Sequence, residues 1–329
     1  MKNVKVILIG VALCATVFAN QRIDALGGDS GFWPGDVDNI NTFPSSINDH
    51  GFVEIDGVGS ADGDDADANL DTGDITATIV WGDATKWGFK YDESDGDTWF
   101  NLMWGSGDMG INASLISSTA NAAADGVTGF TFGYGQNFSW GELGVNLMSK
   151  GDATEYGIDW RGDLGFWAFD NAKVNLDMTD NGTGTTSMNL GFDFFTHMDA
   201  GGADVMFGLG FGYWSQDANG TAASVMTLPA ATVAVEADIT DWATLRCFVN
   251  TDYVAMAAND AADAATTDDT NDGFTGSSTS YGFGVGFNWG GLTADLSISE
   301  DVLQDPVSYM TGYTAETLTN AGVTLTYSF

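Results

Sequence analysis

Charged side chains recur at alternate positions inside apolar stretches of this sequence. In KVNLDMT, Lys173 and Asp177 alternate with Val174, Leu176 and Met178. Successive side chains of a β-strand point to opposite faces, so the spacing predicts strands with one charged face and one apolar face. Charges gathered on one side of a sheet could select ions or small polar solutes, or they could pair with each other in a narrow interior. The sequence leaves both interpretations open.

The same alternation assigns a set of charged residues to one shared, inward side. A Lys or Arg facing lipid near the bilayer midplane costs about 2–4 kcal/mol, so inward placement is expected in any membrane-spanning barrel. The set contains four of the nine basic residues of the chain. Its members are Lys90, Asp159, Arg161, Lys173, Asp177, Asp193, Glu236, Asp238, Arg246 and Asp295.

Little in the sequence points to catalysis or to a metal centre. His50 and His197 are the two histidines, and neither has a neighbouring serine-acid pattern of the kind a hydrolase requires. Histidine and cysteine are too few for a zinc site. We therefore expect no enzymatic activity, no cofactor and no metal.

Acidic residues dominate several segments between the alternating stretches. The chain carries 46 acidic against 9 basic residues, a balance that argues against nucleic acid as a partner. The segment DGDDADANLD does not fit an EF-hand counted from Asp65, because Leu70 and Thr76 occupy the positions of the required glycine and glutamate. A solvated acidic surface is favoured, and calcium binding by these loops stays open.

The first nineteen residues have the organisation of an export signal. Lys2 and Lys5 precede an apolar run, residues 6–15, that is too short to span a bilayer comfortably. The triplet at 17–19, VFA, fits the small-x-small cleavage rule, which makes Asn20 the expected first residue of the mature chain. We divide the chain into a signal peptide (1–19), an N-terminal periplasmic or plug segment (20–50) and a barrel (51–329).

The alternation extends through sixteen candidate strands, with fourteen as the alternative count. Trp and Tyr lie near many strand ends, as in an interfacial aromatic girdle. Connections alternate between tight turns and longer, mostly acidic loops, including a long loop predicted over 215–231. These features predict an all-β, antiparallel up-and-down barrel that spans the outer membrane, with both termini on the periplasmic side.

Two segments resemble known outer-membrane proteins. The C-terminal VTLTYSF resembles the terminal signal of Gram-negative outer-membrane β-barrels, which implies that Tyr327 and Phe329 are read by the barrel-assembly machinery. Residues 22–47 are similar to the start of the long-chain fatty-acid transporter family, with ALGG at 25–28, although Phe43-Pro44-Ser45 replaces the family's Asn-Pro-Ala. That resemblance implies an N-terminal plug inside the barrel.

The function predicted from these observations is a porin-like outer-membrane channel for passive diffusion of small polar solutes or cations. The alternatives are a transporter of hydrophobic compounds that uses the N-terminal plug, and a structural or surface-interaction barrel. Outer-membrane lipid surrounds such a barrel, and a homo-oligomer is possible. The substrate, the pore radius and the oligomeric state stay open.

Overall fold

The strands of the protein close into a single barrel. The computed structural model describes residues 20–58, 75–94, 97–118, 126–259, 276–298 and 323–329. The predicted signal peptide and the most acidic loops, within 59–74 and 260–275, lie outside the described residues. Each strand pairs with its neighbours in sequence, and the first strand pairs with the last.

Sixteen strands form the barrel wall. They are β1 (Phe52–Val58), β2 (Ile75–Trp81), β3 (Thr85–Ser94), β4 (Asp97–Ser106), β5 (Met109–Ser118), β6 (Thr128–Phe138), β7 (Gly141–Lys150), β8 (Ala153–Phe166), β9 (Phe169–Asp180), β10 (Thr185–Asp199), β11 (Ala203–Ala218), β12 (Thr221–Thr240), β13 (Ala243–Asn259), β14 (Gly276–Trp289), β15 (Leu292–Ile298) and β16 (Val323–Ser328). All pairings are antiparallel, which confirms the predicted sixteen-stranded up-and-down barrel, and the alternative count of fourteen is wrong.

The two ends of the barrel differ in their connections. At one end, which we call the turn end, short turns such as 82–84 and 290–291 join even-numbered strands to the strands that follow. At the opposite end, which we call the loop end, longer stretches of sequence separate an odd-numbered strand from the next strand, as between Val58 and Ile75. Phe329 lies at the turn end, where its backbone N–H donates to the carbonyl of Gly51 at 3.0 Å.

The prediction of a long loop over 215–231 is wrong. β11 continues to Ala218 and β12 begins at Thr221, with Ser215 paired to Ser224 across the hairpin. Asn219 and Gly220 adopt φ values of 55° and 85°, and an Asn-Gly pair with positive φ at both positions is the preferred turn of a two-residue hairpin. Despite its small polar side chains, this segment therefore continues the β11–β12 pairing up to the two-residue turn.

Apolar side chains cover the outside of the wall. Leu102 and Leu115 are 66% and 68% exposed, while their neighbours along the strands turn polar groups inward. Exposed tryptophans gather at the turn end: Trp81, Trp87, Trp140, Trp242 and Trp289. The outer surface thus combines an apolar belt with a tryptophan-rich rim.

The seam of the barrel joins β1 to β16. Phe52 pairs with Ser328 and Glu54 with Thr326, whose hydroxyl donates to the Glu54 carboxylate at 2.8 Å. Tyr327 and Phe329 point outward and are exposed, with ring centroids 6.3 Å apart. Polar residues of β16 therefore face the interior, and its aromatic residues face the surroundings.

Residues 20–50 lie inside the barrel, and we call them the plug. The plug contains two short helices, α1 (Gln21–Asp24) and α2 (Asn39–Thr42), and two 3₁₀ turns, Ser30–Phe32 and Pro44–Asp49. Gly27 and Gly28, with φ of 105° and 81°, follow the end of α1, where the backbone N–H of Gly28 donates to the carbonyl of Ile23 at 2.8 Å. Helix α1 contacts β14, β15 and β16, and the turn at 44–49 contacts β3 to β7, so the plug extends across the lumen.

None of the described helices is long and apolar enough to cross a membrane.

Candidate functional site

One apolar cluster joins the first half of the plug to the wall. Ile23, Leu26, Phe32 and Trp33 of the plug pack against inward-facing side chains of β10, β11 and β12. The wall contributes Phe195, Met206 and Ala234, with Phe248 of β13 packed beside them. The ring of Phe32 meets the ring of Phe195 edge to face at 5.3 Å. Full burial of an aromatic or aliphatic side chain stabilises by about 1.5–3 kcal/mol, so this cluster holds the first half of the plug in place.

A second apolar cluster holds the other half of the plug. Ile40 and Ile47 pack against Phe52 of β1, Val80 of β2 and Met103 of β4. These inward apolar residues interrupt the otherwise polar inner face. Sequence alternation alone missed them, and the available signal was an apolar residue in the inward phase, as in the consecutive pair Phe194-Phe195.

Inner-face glycines make room for the backbone of the plug. A Cβ atom added at Gly110 would collide with the carbonyl of Pro44, and one at Gly135 would collide with the backbone nitrogen of Ser45. One at Gly144 would collide with the carbonyl of Thr42. Glycine is required at these positions because the backbones of the plug and the wall approach closely.

A chain of ion pairs connects the plug to β12, β13 and β15. Arg22 of the plug pairs with Asp36 of the plug and with Glu236, whose Oε2 is 2.8 Å from Nη2 of Arg22. Glu236 also accepts from Nε of Arg246 at 2.7 Å. Nη1 of Arg246 donates to Asp295 at 2.5 Å, where both side chains are buried. Three of the charged residues predicted to face inward thus meet one another and the plug.

Two more inward basic residues, Arg161 of β8 and Lys173 of β9, also bind the plug. Lys173 pairs with Asp29 of the plug and with Asp193 at 3.2 Å, and its Nζ is 4.2 Å from the centre of the Phe32 ring. Among described residues, Arg161 pairs with Glu142 at 2.6 Å. Its Nη1 also donates to the plug, to the Gly31 carbonyl at 3.1 Å and to Asn39 at 2.9 Å.

The remaining inward charges lie apart from the plug ion pairs. Lys90 lies 3.6 Å from Asp92 on the same strand, near the loop end. Asp159 and Asp177 face the lumen from β8 and β9 with no ion pair to a described Lys or Arg. Asp238 is exposed near the turn end, where it accepts from the hydroxyl of Thr244 at 2.7 Å.

Residues of the plug that were not predicted as site residues complete the interface. The hydroxyls of Ser45 and Ser46 donate to Glu142 at 3.1 and 2.9 Å. Nε2 of His197 is 2.7 Å from the carbonyl of Phe32. Phe43 packs under the Arg161 guanidinium, whose Cζ is 4.6 Å from the ring centre. No sequence motif marks these residues, because their roles follow from the path of the plug across the lumen.

Burial shifts the ionisation of carboxyl groups within the plug. Burial, with the charge of Asp56 as a second cause, raises the pKa of Asp24 to about 7. Burial also acts to raise the pKa of Asp29, but the ammonium of Lys173 and hydrogen bonds from Lys173 and Gly31 hold that pKa below its ordinary value. Among the described residues, Asp24 has no compensating cation, whereas Asp29 has Lys173.

A small cleft separates part of the plug from the wall near the turn end. It has a volume of about 250 Å³ and polar walls. Asn20, Arg22 and Asp36 line it from the plug, and Arg246, Asp295 and Thr326 line it from the strands. The polar lining suits water and small polar or charged solutes.

Comparison with known proteins supports the fold and leaves the family open. No family model matches the chain, and no curated protein matches it significantly. The chain is similar to a solved structure titled "Bacterial polysaccharide outer membrane secretin", at 12% identity with a TM-score of 0.51 over 84% of this chain and 97% of that chain. It also matches BamA from Haemophilus ducreyi lacking POTRA domains 1-3, at 10% identity with a TM-score of 0.43 over 84% of this chain and 70% of that chain.

At these identities the first likeness shows the barrel fold alone, and the TM-score of the second is too low to support an inference. The resemblance of residues 22–47 to the long-chain fatty-acid transporter family finds no support among these comparisons.

Proposed function

We propose that the chain is a β-barrel of the Gram-negative outer membrane, exported by residues 1–19. The apolar outer belt and the exposed tryptophans at the turn end support this location, since lipid-facing barrels carry an apolar band bordered by aromatic girdles. The turn end then faces the periplasm, together with Phe329. The exposed aromatic side chains of Tyr327 and Phe329 are the proposed signal for the barrel-assembly machinery.

Within that membrane, the barrel provides a passive path for small polar solutes with a preference for cations, and the plug restricts this path. One observation carries the proposal: among the described residues, the plug contacts three of the four inward basic residues, directly or through Glu236, while several inward acids have no ion pair to a Lys or Arg. Arg161 and Lys173 bind the plug directly, and Arg246 binds it through Glu236. The unpaired acids face the lumen mostly toward the loop end: Glu155, Asp159, Asp177 and Asp252.

An excess of negative charge in a narrow aqueous lumen raises the local concentration of cations. The inward charged residues therefore have two roles, ion pairing and ion selection, in different parts of the same lumen. Ion pairing explains the contacts of the plug, and ion selection is the proposed role of the unpaired acids.

Transport of hydrophobic compounds is the second candidate function. The cluster of Ile23, Leu26 and Phe32 with Phe195 and Met206 favours it, because displacement of the plug would uncover apolar surface inside the barrel. Such a surface could accept an apolar solute that passes the plug.

Conductance of the purified, full-length mature protein in planar bilayers tests the proposal. We expect small single-channel steps and a reversal potential in a salt gradient that reports cation preference. Steps without cation preference would contradict the role of the unpaired acids. Silence of the wild-type barrel and of plug-loosened variants would favour a structural or surface-interaction barrel. Saturable binding of an apolar solute by a silent barrel would favour the second candidate.

A further inference from the structure

The backbone nitrogen of Asn20 occupies a buried acidic environment at the start of the plug. This nitrogen donates to Oδ2 of Asp38 at 2.6 Å, and both residues are buried, with exposures of 5% and 9%. The side chain of Asn20 accepts from the backbone N–H of Ile23 at 3.1 Å, which fixes residue 20 at the N-terminus of α1. Two hydrogen bonds, one from the backbone and one to the side chain of Asn20, thus fix the position of this nitrogen.

Asp38 has no cationic partner among the described residues. Its acidic neighbours Asp36 and Glu54 have other partners. Asp36 pairs with Arg22, and Glu54 accepts a hydrogen bond from the hydroxyl of Thr326. Burial and the charges of Asp36 and Glu54 raise the pKa of Asp38 well above its ordinary value. Lys90 acts in the opposite direction, although it lies within ion-pair distance of Asp92. A positive charge at the Asn20 nitrogen would offset this cluster of acids.

We infer that cleavage between Ala19 and Asn20 places the new α-ammonium of Asn20 on the carboxylate of Asp38, as a buried ion pair that completes the plug. This inference rests on the proposed export of the chain. Hydrolysis adds one water across the peptide bond, so that Ala19 leaves as a carboxylate and Asn20 gains an ammonium. An endopeptidase of the export pathway is the class of enzyme that would catalyse this step.

Processing changes what residue 20 can contribute. In the uncleaved chain its nitrogen is a neutral amide with one hydrogen, which is already donated to Asp38. After cleavage the same atom carries a full positive charge and three hydrogens. The polar cleft at the turn end borders Asn20 and leaves space beside it. Removal of the leader therefore strengthens the seating of the plug, and an unprocessed chain holds its plug less firmly.

The pH dependence of this ion pair has a defined sign. An α-amino group titrates with a pKa of about 7.7–8.0 when it is free, and pairing with a buried carboxylate raises that value. The stabilisation is complete below the unfolded pKa of the amine, and it is lost as pH rises through the higher pKa of the folded state. The charged groups that act on Asp38 from the surrounding elements are Asp36 of the plug, Glu54 of β1 and Lys90 of β3.

The test uses the exported, mature protein purified from outer membranes. N-terminal sequencing first identifies residue 20 as the start of the chain. Competitive acetylation across a pH series then reports the pKa of the α-amine. We expect a midpoint raised by about one unit or more, and a labelling rate reduced about tenfold relative to a peptide that begins with the same residues.

Two variants separate the ion pair from general folding. Asp38→Asn should return the midpoint to the range of a free amine, whereas Asp49→Asn, an exposed change in the same plug, should leave it raised. A mature chain that begins elsewhere, or a wild-type amine that titrates like the peptide, would overturn the inference. If Asp38→Asn does not assemble, the wild-type midpoint alone decides. None of these readouts depends on conductance, so this inference and the proposed channel function can fail separately.

Discussion

Arg22 of the plug binds Glu236 of β12 through two parallel hydrogen bonds, from Nε to Oε1 at 3.0 Å and from Nη2 to Oε2 at 2.8 Å. Bidentate pairs of this kind fix orientation as well as distance. Because Arg246 donates to the same carboxylate at 2.7 Å, Glu236 is the link between the plug and two further strands of the wall.

Replacing Glu236 by Gln should loosen the plug without unfolding the barrel. The change leaves the buried guanidinium of Arg246 and the partly buried guanidinium of Arg22 without their shared carboxylate, and loss of one partner of a buried ion pair costs about 3 kcal/mol. Hydrogen exchange at the amide of Ile23 should then become about a hundredfold faster. Asp238→Asn, on the same strand but exposed, is the matched control. Unchanged exchange in Glu236→Gln would show that the other contacts of the plug hold it in place without this carboxylate.

A methyl group at Gly135 should displace the turn at 44–49. The added carbon would overlap the backbone of Pro44 and Ser45, which cannot move without breaking the hydrogen bonds from Ser45 and Ser46 to Glu142. We expect larger single-channel steps from Gly135→Ala. Gly212→Ala is the control, since its new carbon would find its nearest neighbour, in Thr227, at an ordinary 3.6 Å. Equal conductance of the two variants would argue against a close fit of the plug.

The Asp24→Asn variant should be more stable than the wild type in a pH-dependent manner. The pKa of Asp24 is raised to about 7 in the folded protein, so the carboxyl favours the folded state when protonated and opposes it when ionised. The wild type loses stability as pH rises from the unfolded pKa of about 4 to the folded value, so the advantage of the variant grows through that window to a plateau on the order of 2 kcal/mol. Thermal unfolding across pH measures this difference. A difference that does not change with pH would show that the pKa of Asp24 is the same in the folded and unfolded states.

Neutralising Asp159 and Asp177 should reduce cation preference. Both acids face the lumen without an ion pair to a described basic residue, so Asp159→Asn with Asp177→Asn lowers the negative charge along the path. The reversal potential in a salt gradient should move toward zero. Asp180→Asn, exposed at the loop-end terminus of β9, serves as the comparison. A shift of equal size in both proteins would locate the selectivity outside the lumen.

An arginine on the outer belt should destabilise the barrel according to its depth. Leu102 lies near the middle of β4 and is largely exposed, so Leu102→Arg should cost about 2–4 kcal/mol if lipid covers it. Trp140→Arg, in a turn at the turn end, should cost about 0–1 kcal/mol. Reversible unfolding in lipid vesicles compares the two. Equal costs would contradict a bilayer around the middle of the wall.

The strand architecture of this protein can be predicted from its sequence. Alternation in segments such as 281–289 indicates which side of each strand is apolar, because side-chain direction in a strand has a period of two residues. The turn signals between these segments were enough to predict the antiparallel barrel and its strand count. The same local rules failed where Asn219 and Gly220 formed a hairpin inside a segment that composition alone suggested was a loop.

The contacts of the inward residues, in contrast, depend on how the chain folds in three dimensions. Lys173 and Asp29 are 144 positions apart, and no local pattern connects them. Their meeting depends on the path of the plug across the lumen, as do the contacts of Arg22 with Glu236 and of Phe32 with Phe195. Strand periodicity is a property of the local backbone and can be read along the chain. The pairing of plug and wall arises from closure of the barrel around residues 20–50, which brings distant parts of the chain together.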